Sequence, residues 1–372
     1  MNHSARITEI SNTLKELIQF RSTEDRPEQL NKLANYVVNF FSNAGLYLQQ
    51  YDFNGKPALV ITTRKTKRPK IFFQGHLDVV EGDDSQFVPR TNGVHLYGRG
   101  AVDMKGFDAI VMHLLRNKSA LQDEYDIGIM LTSDEETGGQ NGALQLRNLG
   151  YDCDCLVNGD GGYHHALIYA EKGILKFKMS VATKPGRHPN PWRGENAFDI
   201  LVQNYENITS LFPHQKQATD EDNWYTTYSS YDVRVENEAL FFPDRAEMKI
   251  NIYFIEPLSA DAYFEKIKKV VGDKVSITKI LASERVYANP DHACFREMQK
   301  IMQQQFKREI PARTENGSSD ARYFSDNGRP VLIVKVVGRG LHTPEEYIHL
   351  PSIAPMYASL EAFVDKFGKV DE

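Results

Sequence analysis

Ile71-Phe-Phe-Gln-Gly-His76-Leu-Asp78 reads as a buried apolar strand that runs out at a histidine, with an aspartate two residues on and therefore on the same strand face. Outward from it, apolar runs at 58–62 and 128–132 read as further strands. Apolar residues at helical spacing predict helices over 5–19, 27–45 and 107–121. Strands separated by helices define an α/β layered sheet. The grammar changes after about residue 173, where strand 174–183 precedes a helix over 195–211 with Ala197, Ile200, Leu201 and Ile208 on one side. Strands at 227–235 and 246–255 follow, then a helix capped by Ser259 and running to 271, then a strand at 275–281. That β-α-β-β-α-β order is the split pattern of a ferredoxin-like sandwich. Helix 292–307 and strand 331–337 return the chain to the first domain. The fold class is thus α/β: a discontinuous layered α/β/α domain over 1–172 and 284–372, carrying an inserted ferredoxin-like βαββαβ domain over 173–283.

With 372 residues the chain is longer than one hydrophobic core sustains, which agrees with two domains. A net charge of −6 argues against a protein that grips nucleic acid or anionic membrane, and 41% hydrophobic with 25% charged residues is a globular balance. Cys153, Cys155 and Cys294 cannot build a disulfide scaffold, and they read as small buried hydrophobes in a reducing compartment. Ile7, Ile10, Leu14, Leu17 and Ile18 form an amphipathic helix rather than a signal-peptide core, and no apolar run approaches the ~20 residues of a membrane span. Together these predict a cytoplasmic location.

Five polar segments fall where strands end, the place where α/β sheets bind ligands. The first is the opening stretch, where His76 can take a metal on one ring nitrogen while Asp78 fixes the other. The second, Leu96-Tyr-Gly-Arg-Gly-Ala-Val-Asp103-Met-Lys-Gly106, sets one aspartate among glycines just before a helix; its spacing does not match a dinucleotide-binding G-x-G-x-x-G. In the third, Ile129-Met-Leu-Thr-Ser-Asp134-Glu135-Glu136-Thr-Gly-Gly139, three consecutive carboxylates repel one another unless a cation neutralises them. Leu156-Val-Asn-Gly-Asp160-Gly-Gly162 and Gly338-Arg-Gly-Leu-His342-Thr-Pro-Glu-Glu346 complete the set. Two histidines with several carboxylates make a mixed N/O donor set suited to Zn²⁺ rather than to Ca²⁺ or Mg²⁺.

The order of these motifs, with Ser319-Asp-Ala-Arg322, resembles the M20 family of dinuclear zinc hydrolases, which includes deacetylases, desuccinylases, carboxypeptidases and dipeptidases. The resemblance covers essentially the whole chain. It implies two Zn²⁺, with Co²⁺ as a substitute, bridged by Asp103. It further implies His76 and Asp160 on one ion, Glu136 and His342 on the other, and Asp78 orienting His76. Glu135 would be the general base acting on a metal-bridged water, and the Asp103–Met104 bond is often cis in the family. The inserted domain is then a lid and a homodimer platform, and His188 would reach the partner's active site; the segment around His188 is one residue short, which puts Arg187 at the ungapped position. Arg322 is a candidate clamp for a substrate carboxylate. An Asn-x-x-Pro of the lid and a later arginine are missing here, where Leu240 precedes Phe241-Phe242-Pro243 and Tyr253 stands in for the arginine.

The implied activity is hydrolysis of the amide of a small N-acyl amino acid, of deacetylase or desuccinylase type. Within the family, Asp at the position of Asp160 is common in aminopeptidases and dipeptidases, so a dipeptidase or aminopeptidase is the alternative. Outside it stand a non-catalytic binding protein on a degenerate hydrolase fold and a nicotinamide oxidoreductase, the latter without a fingerprint.

Overall fold

The structure, a computed structural model, describes residues 3–121, 123–213, 224–237, 240–325 and 329–371. Its contacts divide the chain into two units, one of residues up to Ala170 together with those from Tyr287 onward, the other Glu171–Val286.

Four parallel strands form the middle of a nine-stranded mixed sheet in the larger unit, in the order Ile127–Thr132, Ile71–His76, Cys155–Asn158, Val331–Ile333. Every residue of Ile71–His76 and Ile127–Thr132 is buried, which explains why these strands are runs of apolar residues instead of alternations. Helices His3–Ile18, Pro27–Phe41, Lys105–Lys118, Ala293–Phe306 and Ile353–Phe367 supply the rest of one continuous core, in which Leu14, Phe73, Phe107, Ile129 and Phe363 are essentially inaccessible. Cys153, Cys155 and Cys294 are buried and free.

Several details differ from the sequence expectation, among them helix Ile353–Phe367, which the pattern does not announce. The 27–45 helix ends at Phe41, and Gly45 (φ 68°) turns the chain away. Tyr47–Phe53 is an additional strand, paired antiparallel with Lys56–Thr62 through Asn54 (φ 58°) and Gly55 (φ 79°), the two-residue turn that a hairpin's twist prefers. The 331–337 strand pairs only as far as Ile333; Val334 N then donates to Asn158 O (2.9 Å), and the chain peels off toward His342.

The smaller unit is a four-stranded antiparallel sheet ordered Thr227–Glu236, Arg245–Phe254, Gly173–Ala182, Val275–Ser283, with helices Ala197–Thr209 and Ala260–Lys268. Strict alternation buries Leu175, Phe177, Met179 and Val181 on one face, and Ala246, Met248, Ile250 and Ile252 beside them. Asn196 caps the first helix by accepting from Phe198 N (3.0 Å), and Ser259 caps the second by accepting from Ala262 N (3.2 Å). This is the ferredoxin-like βαββαβ arrangement.

One packing contact carries a pH dependence. His113, on Lys105–Lys118, pairs its Nε2 with Thr13 Oγ1 (2.8 Å) and meets Phe40 edge-on. Burial and the nearby Arg116 push its pKa down to about 4 from 6.5. The unfolded chain takes this proton first, so stability is complete above 6.5 and falls as pH drops toward 4. Allowing for partial exposure, the loss approaches ~2 kcal/mol. Denaturant melts from neutral to mildly acid pH should show a shallower acid-side loss for His113→Gln than for wild type; equal slopes would remove His113 from the account.

Candidate metal centre

The carboxyl ends of the four parallel strands deliver the chemistry. His76 is the last residue of its strand, preceded by Gly75, where an added Cβ would stand 1.9 Å from Asp108 Oδ1. Only glycine lets helix Lys105–Lys118 approach so closely. Asp103 sits just before that helix, followed by a cis peptide bond to Met104. Its loop is held from the far end of the chain: the Glu346 carboxylate accepts from the backbone N–H groups of Gly100 (3.1 Å), Val102 (2.9 Å) and Asp103 (3.2 Å), and from Arg99 Nη1 (2.8 Å). Glu135 and Glu136 lie in a tight turn after Ile127–Thr132, closed by Gly138 (φ 113°) and Gly139 (φ 65°). Asp160 follows Cys155–Asn158, its N–H bonded to Asn158 Oδ1 (2.8 Å). His342 has a left-handed backbone (φ 58°).

These residues meet. Asp103 Oδ1 is 3.6 Å from His76 Nε2, and Asp103 Oδ2 is 3.1 Å from His342 Nε2, which is also 3.3 Å from Glu136 Oε1. Ligand atoms of His76, Asp103 and Glu136 lie within 4.8 Å of one another, and so do those of His76, Glu135 and Asp160. Asp103 therefore stands between the two histidines, while Glu135 shares a cluster with Asp160. His76 Nδ1 is 2.9 Å from the backbone carbonyl of Asp78; a carbonyl only accepts, so Nδ1 donates there, and Nε2, which faces Asp103, is the ring atom that could hold a cation. The orienting bond expected from the Asp78 carboxylate thus comes from its main chain. The carboxylate Oδ1 is 3.6 Å from the ring, and Oδ2 accepts from Glu136 N (3.0 Å), fixing the neighbouring turn.

The residues fit a cation. His76 Nε2, Asp103 Oδ1 and Glu136 Oε1 are buried without a hydrogen-bond partner, and buried polar atoms are otherwise almost always paired. The electrostatics agree. Burial, with Asp320 and Glu136 nearby, pushes Glu135 well above the usual carboxylate value; burial and Asp103 do the same to Asp160. Asp103 and Glu136 pull His342 up to about 10. Positive charge is what this cluster lacks.

Arg322 is not an open clamp. Its side chain is 3% exposed, with Nη2 3.2 Å from Asp320 Oδ1 and Nη1 3.7 Å from Glu135 Oε1, so its charge already faces internal carboxylates. His188 lies in the smaller unit, exposed, with its ring edge-on to Phe242 (5.3 Å). Two contributors were not singled out from sequence. In the sequence Glu346 is only the end of the His342 motif. Lys335, 6% exposed, pulls the Asp103 carboxyl down and opposes the upward push on Asp160; its one signal is a charge inside the apolar run Val331-Leu-Ile-Val-Lys-Val-Val337.

A mixed α/β sheet whose strand ends gather two histidines and a row of carboxylates defines a metal-dependent hydrolase. The model of peptidase family M20/M25/M40 matches residues 72–366, and the chain belongs to that family. The succinyl-diaminopimelate desuccinylase of Rickettsia rickettsii (strain Sheila Smith) is 24% identical over 93% of this chain and 96% of its own length. Among solved structures, a tripeptidase from Staphylococcus aureus superposes with a TM-score of 0.78 at 17% identity, covering 96% of this chain and 97% of that one. An M20 family metallo-carboxypeptidase from Sulfolobus solfataricus gives 0.78 at 15%, covering 96% and 99%. No helix among the described residues is long and apolar enough to cross a membrane.

Proposed function

We propose that this hydrolase cleaves the amide bond of a small N-acyl amino acid, of deacetylase or desuccinylase type. The observation that carries the reading is the meeting of His76, Asp103, Glu136 and His342 beside a half-buried Glu135. The 24% likeness to a desuccinylase over nearly the whole chain favours this branch. His76, Asp103 and Asp160 would hold one ion, and Asp103, Glu136 and His342 the other; the N/O donor set suits Zn²⁺, with Co²⁺ as a substitute. Such a pair supplies Lewis acidity toward the carbonyl and acidifies water. Glu135 Oε would take a proton from the attacking water and pass it to the leaving amine. Arg322 and Asp320 set the charge around Glu135.

A dipeptidase or aminopeptidase is the second reading, favoured by Asp160 at its ligand position. A screen of the metal-reconstituted protein against N-acetyl-amino acids, N-succinyl-amino acids and dipeptides separates the two. Turnover confined to dipeptides would replace the first reading, and a chelator should abolish whichever activity is found.

The smaller unit is proposed as a homodimer platform. Its edge strand Thr227–Glu236 is largely exposed, Tyr231, Val233 and Val235 among its residues, and an open strand edge suits pairing with a second copy. In that dimer His188 would stabilise the developing oxyanion in the partner's site. His188→Ala should then lower kcat by roughly 10²-fold with little change in fold; a loss of only a few-fold removes His188 from the mechanism. Three buried free cysteines support a cytoplasmic location.

A further inference from the structure

A second cavity lies in the larger unit, and none of the metal-ligand candidates lines it. Its volume is about 430 Å³, and its walls include His95, His164, His165, Phe306, Arg339 and Tyr347. It takes shape on a small antiparallel sheet built from His95–Tyr97, Gly338–Arg339 and Tyr347–His349. The register sets His349 opposite His95, Tyr347 opposite Tyr97, and Arg339 opposite Tyr347. Period-two alternation therefore puts these rings on one sheet face. His95 lies 4.4 Å from Tyr347 and 5.6 Å from His349, centroid to centroid. Elsewhere in the lining His165 meets Phe306 at 5.1 Å.

Three observations say what this cavity accepts. No carboxylate is among its lining residues, and Arg339, exposed, has no ion-pair partner among the described residues. His165 holds a left-handed backbone (φ 60°), and its Nδ1 is buried without a hydrogen-bond partner. Strain and an orphaned polar atom on one residue mark a place where structure is being held for something else. The imidazoles do not make a metal site, because among the described residues only the clusters around His76 bring ligand atoms close enough. They serve instead as aromatic walls. Burial pushes His165 down to about 4 and lowers His164 and His349, so these rings disfavour the charged form while Arg339 brings a permanent charge to the lining.

We infer that this cavity binds a small planar organic anion of the aromatic carboxylate class, its ring between the His95/Tyr347 and His165/Phe306 walls and its carboxylate on Arg339. The size suits such a ligand, a guanidinium matches a carboxylate bidentately, and stacked rings reward a flat body over a puckered one.

Benzoate is the probe, titrated into the metal-loaded protein and followed by calorimetry and by the imidazole signals in NMR. Cyclohexanecarboxylate has the same charge without the flat ring, and benzyl alcohol the ring without the charge. Benzoate is expected to bind at least five-fold more tightly than either and to shift signals of His165 and His95. Arg339→Gln and His165→Asn, the latter keeping a residue that tolerates the left-handed backbone, should each weaken it by ten-fold or more. Asp103→Asn, which disables the metal centre, should leave it unchanged. Binding that survives Arg339→Gln but disappears with Asp103→Asn would assign benzoate to the metal centre and overturn the inference. Equal affinity for cyclohexanecarboxylate would do the same.

Discussion

Glu135→Gln lowers kcat by roughly three to four orders of magnitude while two equivalents of metal stay bound; that is the expected result, and it separates two roles the geometry offers this residue. Glu135 lies within 4.8 Å of ligand atoms on His76 and Asp160, near enough to be read as a ligand itself. A ligand and a base respond differently to the amide. Losing a ligand weakens metal binding, whereas losing a base leaves the metals and removes proton transfer. The surroundings favour the base. Burial, Asp320 and Glu136 raise its proton affinity while Arg322 at 3.7 Å and His76 oppose them, which leaves a carboxylate able both to take a proton and to give it back. Metal analysis beside single-turnover kinetics decides the matter. One equivalent instead of two in the variant would make Glu135 a ligand, and near-wild-type turnover would remove it from the chemistry altogether.

The largest effect on stability is expected at Glu346. Its carboxylate, 1% exposed, satisfies three backbone N–H groups of the Asp103 loop and the buried guanidinium of Arg99. Glu346→Ala leaves all four donors in a dry interior, and an uncompensated buried charge alone costs about 3–5 kcal/mol. The loop would then lose its geometry at Asp103, so metal affinity should fall together with the unfolding midpoint. Arg99→Met offers the contrast. It removes the charge but leaves the three amide bonds, and it should cost less than half as much while sparing metal binding. If both variants melt alike and hold metal alike, the carboxylate is only an ion-pair partner and not the clamp of the loop.

How far the sequence foretold this centre depends on which atoms carried the information. The segments of His76, Asp103, Glu136 and His342 stand out because each ends an apolar run or lies in a glycine turn, and both patterns are local; which residue in each would ligate is implied by the family resemblance. The two-unit α/β architecture was legible for the same reason: period-two strands such as Gly173–Ala182 contrast with the uniformly buried Ile71–His76. Tyr47–Phe53 escaped because it is a half-exposed edge strand with little apolar contrast, although Asn54-Gly55 announced the turn. Glu346 and Lys335 escaped because their meaning lies in partners far off in sequence. A glutamate after Thr-Pro-Glu reads as surface until the Asp103 loop arrives to use it. Nor does anything local show that Arg322, a candidate clamp for a substrate carboxylate, faces Asp320 and Glu135.

The pairing of Val331–Ile333 with Cys155–Asn158 has a consequence for how the polypeptide is made. Ribosomal synthesis delivers the acidic loops of Asp103, Glu135 and Asp160 long before the strand, the histidine and the glutamate that complete them. The contiguous segment 171–286 can close its own sheet while still tethered, because all four of its strands have by then emerged. The larger unit must wait, half-built, for the last quarter of the chain. A nascent molecule stalled before residue 331 would therefore carry one finished unit and one unfinished, with nothing yet to lock the loops of Asp103, Glu135 and Asp160.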